Sequence, residues 1–133
     1  MSENSFDKEK IVSHWIESSE KDFKTMDDLF SSQNYHWSLF IGHLVIEKLL
    51  KALYVKTLNS YPPMIHDLRR IYEKSNLEID NEYILKLDTI TRFNINARYD
   101  DYKLSFYNLC TKEFTEKWIS EIKDCRLWIL SKL

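Results

Sequence analysis

YHWSLFIGHLVIEKLLKALYVKTL, residues 35–58, decides the fold. Trp37, Phe40, Ile41, Leu44, Val45, Leu49, Leu50, Leu53 and Val55 fall on most sides of a helix, with no proline to interrupt it. A helix that is apolar nearly all round is packed on several faces, so this segment is the expected centre of a helical bundle. Glu47, Lys48 and Lys51 interrupt the run. They argue against a membrane span, and on an otherwise apolar helix they point to a polar pocket or a groove at an interface.

Working outward, SSQN at 31–34 has side chains that favour turns and caps over helix interiors. Before it, Val12, Trp15, Ser19, Phe23, Met26 and Phe30 recur at helical spacing with acidic residues opposite, which predicts a first helix. Residues 1–5 read as a flexible tail. Beyond Leu58, Pro62 and Pro63 block a helix, and His66 or Asp67 can start a short third one through about Tyr72. Asp80 is a natural N-cap for a fourth, carrying Tyr83, Ile84, Leu87, Ile90 and Phe93. Its carboxyl end is RFNINARYDDYK at 92–103, followed by a connection rich in aromatics (Tyr99, Tyr102, Phe106, Tyr107). Thr111 can cap a last helix with Phe114, Trp118, Ile122, Cys125 and Ile129 on one face. The expectation is an all-α, up-and-down bundle of about five helices, forming a single domain over 1–133.

Composition agrees. With one glycine and two prolines in 133 residues there is little turn chemistry for a hairpin-rich β protein. A net charge of −2 excludes the global positive excess of a nucleic-acid coat. Charge is nevertheless uneven: acids dominate residues 1–32, whereas Lys48, Lys51, Lys56, Arg69, Arg70 and Lys74 face only Asp67 and Glu73 in 48–74, which predicts one positive side. The polar start, MSENSFDKEK, has no apolar run of the secretory kind. Cys110 and Cys125 form no Cys-x-x-Cys pair and sit among apolar residues, as buried reduced thiols of a cytoplasmic protein do.

Patterns of catalysis are mostly missing. The sequence has no glycine-rich phosphate loop, nucleophile elbow, zinc spacing or Glu-x-x-His pair, so no catalytic residue, metal ligand or cofactor is expected. His43 and Glu47 stand one helical turn apart, but without a second such pair His43 reads as a core histidine. Ligand-binding candidates are Lys48, Lys51 and His66, together with Arg92, Arg98, Tyr99 and Tyr102 from the 92–103 stretch. Arginine offers a planar fork of donors for phosphate and tyrosine a face for a base, although Asp100 and Asp101 place negative charge beside them. The competing reading of Arg98 is an ion pair with Glu47 or Asp67 that pins helix ends. For the lysines it is that their long stems only cover apolar surface.

Three runs together, YHWSLFIGHLVIEKLLKAL (35–53), PPMIHDL (62–68) and NARY (96–99), resemble the HEPN (higher eukaryotes and prokaryotes nucleotide-binding) domain. The likeness extends from about Trp15 to the end of the chain. It implies a small all-α bundle, usually a homodimer, often encoded beside a minimal nucleotidyltransferase, with roles in nucleotide binding, toxin–antitoxin pairs and RNA cleavage. Ribonuclease members carry an arginine followed after four to six residues by a histidine. Here the eligible positions hold Lys103, Leu104 and Ser105 after Arg98, and Ala97, Arg98 and Tyr99 after Arg92. The reading is therefore a domain that binds a nucleotide, a phosphate-containing ligand or RNA, or a protein partner such as a nucleotidyltransferase. The alternatives are a ribonuclease with a rearranged site and a purely structural dimer.

Overall fold

The computed structural model describes residues 6–75, 77, 78 and 80–133, apart from the side chain of Asp100; the tail at 1–5 lies outside the described residues. Six helices follow one another along them: α1 (Lys8–Ser31), α2 (Tyr35–Leu58), α3 (Leu68–Lys74), α4 (Asn81–Arg98), α5 (Asp100–Leu109) and α6 (Lys112–Leu130). No described residue is in a strand.

The starts follow local chemistry. Asp7, Asp67, Asp80 and Thr111 each accept a bond from a backbone N–H in the first turn that follows, satisfying donors the helix leaves free. Gln33 and Asn59 close α1 and α2 in the left-handed region, at φ 66° and 52°, and asparagine tolerates that region better than most residues.

α2 packs against all five other helices, so its apolar faces are consumed within the chain. α1 lies along it, and two buried serines tie the pair: Ser19 Oγ donates to the Val45 carbonyl and Ser38 Oγ to the Met26 carbonyl, each at 2.8 Å. Gly42 permits the approach of α6. A Cβ there would sit 2.6 Å from Ile122 Cδ1 and 3.1 Å from Met26 Sδ. Below these contacts the core runs through Leu49, Leu50, Leu68, Ile71, Leu87, Ile90 and Ile129.

The expectation of about five helices is corrected at 100–109. Tyr99 breaks α4 in an extended conformation, φ −89° and ψ 130°, and the chain at once resumes as α5. Phe106 is its buried anchor, stacked on Phe93 at 5.6 Å, while Tyr102, Leu104, Tyr107 and Leu109 stay exposed. A helix with one buried side chain among those described leaves almost no periodic signal, which is why the aromatics read as a connection.

Cys110 and Cys125 are free and buried, and burial pushes both thiols up to about 12. Among the described residues no helix is long and apolar enough to cross a membrane.

A buried glutamate holding a histidine and a lysine

Glu47 reaches the core side of α2 because the apolar pattern places it there, and it is only 5% exposed. A carboxylate so buried needs partners. Its Oε1 accepts from His66 Nδ1 at 2.7 Å and its Oε2 from Lys51 Nζ at 3.4 Å, one turn on along α2. Lys51, itself only 8% exposed, lies over the Trp15 ring of α1 at 5.4 Å, a cation–π contact that offsets part of its lost hydration.

His66 belongs to the segment that Pro62 and Pro63 keep out of helix. It is fastened twice, since its carbonyl also accepts from His43 Nε2 at 3.0 Å. That bond fixes the His43 tautomer. Burial holds its ring below the ordinary histidine range, outweighing the upward pull of the His66 carbonyl and of Glu47, and the Arg98 guanidinium adds a lesser push downward. His43 Nδ1 is buried without a partner. A bare lone pair there is tolerable, whereas a second N–H would be an unmet buried donor. His43 is the neutral core histidine that the sequence suggested, and among the described residues no group of three His, Cys, Asp or Glu side chains is placed to hold a metal.

The His66 ring is different, with its side chain 63% exposed. Because Glu47 can only accept, Nδ1 carries the hydrogen and Nε2 of the neutral ring is left as a free base. Beside it opens a cavity of about 500 Å³ lined by Trp15, Lys51, Tyr61, Pro62, Pro63, Met64 and His66. Its walls are mainly apolar, and its ionisable nitrogen groups are the lysine and the histidine that Glu47 joins.

The candidates from the sequence separate into two groups. Lys51 and His66 come together. Lys48 turns to α1 and donates to Asp22 at 2.5 Å, so it is engaged in tying two helices. Arg92 is exposed on α4, and Tyr99 and Tyr102 are exposed where α4 meets α5. Among the described residues Arg98 makes no ion pair, so the suggested link to Glu47 or Asp67 is replaced by other contacts. Its Nε donates to the Asn94 carbonyl at 3.1 Å, and the guanidinium stands 5.9 Å from the Phe40 ring and 5.7 Å from that of Tyr99. Half of the predicted positive side is neutralised: Lys48 meets Asp22, Lys51 meets Glu47, and Arg69 meets Glu73 and Asp88, whereas Lys56, Arg70 and Lys74 make no ion pair among the described residues. Glu47 and Trp15 were missing from the candidates. A charged pair inside an apolar helix was the available signal for Glu47; Trp15 gave none, since it sits in the apolar stripe of α1 like any core residue.

The profile of the HEPN domain family matches residues 12–132. The chain belongs to the HEPN domain family. A solved structure, TT1696 from Thermus thermophilus, matches this HEPN domain with a TM-score of 0.79 over 92% of this chain and 98% of that one, at 14% identity. At that identity the likeness is one of fold. A comparison with curated protein sequences finds no match.

Proposed function

We propose that this HEPN domain binds a nucleotide, with one phosphate held by Lys51 and His66 and the base against Trp15. The observation that carries the reading is the Glu47 carboxylate, which fixes a buried ammonium and an exposed imidazole at the edge of one apolar-walled cavity. Buried charges are costly to maintain, and a pair of polar groups converging on an apolar cleft is the usual form of a small-molecule site. Membership of a family associated with nucleotides supports the ligand class. Calorimetric titration with adenosine 5′-monophosphate is expected to show saturable binding that weakens as salt rises. Binding indifferent to Lys51→Met would count against this site.

A second reading, protein association, is favoured by a separate observation. Tyr99, Tyr102, Leu104, Tyr107 and Leu109 expose apolar surface along α5 and its entry, beside a hollow of about 370 Å³ lined by His36, Lys103, Leu104 and Tyr107. The partner we propose is a second copy of the chain, in line with the habit of the family. The apolar faces of α2 are already covered within the chain, which leaves α5 as the better surface for it. Sedimentation equilibrium should give a dimer at micromolar concentration and a monomer for Tyr102→Glu. A wild-type monomer would leave the face to another protein, for which a minimal nucleotidyltransferase is the candidate.

A further inference from the structure

We infer that His66 is a general base and Lys51 a general acid for hydrolysis of a cyclic phosphodiester of a single nucleoside, such as a 2′,3′-cyclic monophosphate; this rests on the nucleotide-binding reading of the same cavity.

Three observations lead there. First, Glu47 is a buried carboxylate bonded at 2.7 Å to His66 Nδ1, which sets the tautomer and leaves Nε2 without a hydrogen on a side chain that is mostly exposed. A carboxylate behind an imidazole whose far nitrogen is free is the arrangement that makes histidine a base for a hydroxyl or a water. A role limited to fastening the loop does not need the ring so exposed, since the His66 carbonyl is already held by His43. Second, the other oxygen of the same carboxylate holds Lys51 Nζ at 3.4 Å, so base and acid are fixed by one group and border one cavity. Third, the fixed charges of Glu47 and Lys51 cancel. Among the described residues Lys51 is the one fixed cation on the cavity wall, so a singly charged ligand brings less unneutralised charge there than a nucleoside di- or triphosphate would. A cyclic diester of one nucleoside carries a single negative charge and has the apolar face that Trp15, Tyr61 and Met64 can cover. Its leaving oxygen is tethered in a strained ring, so a modest acid suffices.

The step balances with water as co-reactant. His66 Nε2 takes a proton from water as its oxygen forms a bond to phosphorus. The bond from phosphorus to one ribose oxygen breaks, its electron pair going to that oxygen, which receives a proton from Lys51 Nζ. The product is a nucleoside monophosphate with a free hydroxyl, and exchange with solvent restores neutral His66 and charged Lys51. Glu47 is a positioning residue.

The test uses the whole chain with 2′,3′-cyclic adenosine monophosphate, following conversion to the 2′- or 3′-monophosphate by phosphorus NMR and binding by calorimetry. Wild type is expected to turn the probe over. His66→Gln, on an exposed side chain, should melt like wild type and lose about a hundredfold or more in kcat with little change in KM. Glu47→Gln should lower kcat, and Glu47→Asp should recover part of the loss with a displaced pH profile, which loop fastening alone would not produce. Binding without turnover, or equal turnover by His66→Gln, overturns the inference and leaves the binding site intact. Absence of binding removes the site itself. An oligoribonucleotide cut to cyclic phosphate ends, with the cyclic probe untouched, also overturns it.

Discussion

Two regions of this HEPN domain carry cations beside aromatic rings, and they are built in opposite ways. Around Glu47 the charges are buried, each has a partner, and one carboxylate joins residues from α2 and from the loop before α3. Around Arg98 the guanidinium is exposed, is held by a backbone carbonyl of its own helix, and lies beside aromatic faces at the break between α4 and α5. In the first region the protein has committed charge to a fixed place at a cost in desolvation. In the second it has left apolar residues exposed on the surface. Geometry that is expensive to keep is the better guide to a ligand site.

The largest effect separating the two should come from Glu47→Gln, which strands a buried Lys51. It is expected to lower stability by about 3–5 kcal/mol in urea unfolding. A loss below about 1 kcal/mol would place the Glu47 network on the same footing as the Arg98 surface.

A smaller effect should appear as a pH slope. The folded His43 ring titrates below 6.5 because it is buried, whereas the unfolded chain takes up that proton near 6.5. The unfolded state therefore binds more protons as pH falls below 6.5, and stability must drop in that direction until the folded ring also titrates. Unfolding at pH 7.5 and pH 5.5 should show the loss, and His43→Gln should reduce it. An unchanged slope in that variant would assign the pH dependence to other groups.

Lys48→Met removes the half-buried bond to Asp22 and should cost about 1 kcal/mol, with no effect on nucleotide binding. Arg98→Ala should cost least, about 0.5 kcal/mol, because no buried charge is left behind. A loss several times larger would reveal a structural role for Arg98 that its contacts do not explain.

The difference between the regions also accounts for what could be read in the sequence. α2 was legible end to end because a core helix writes its burial in consecutive apolar residues; Asp80 and Thr111 announced two helix starts by cap chemistry, and Pro62 and Pro63 placed a third at His66 or Asp67, of which Asp67 is the cap. α5 was not, since Phe106 is its main anchor and one buried residue has no period. Lys51 and His66 could be named as candidates, and Glu47 stood out as a charge on an apolar helix, but nothing local told that it joins the two, His66 lying 19 positions on. Trp15 reaches the cavity only through the packing of α1 on α2. Arg98 drew notice by its motif and donor chemistry, and nothing local told that no carboxylate among the described residues would meet it.

The most direct test of the central claim is a calorimetric titration of wild type, Lys51→Met and Arg98→Ala with adenosine 5′-monophosphate under one buffer and salt. The Glu47–Lys51–His66 site predicts that Lys51→Met weakens binding by roughly tenfold to a hundredfold, the loss of one charge-assisted bond, while Arg98→Ala stays within about threefold of wild type. Binding lost with Arg98 and kept without Lys51 would contradict it and place the nucleotide at the junction of α4 and α5.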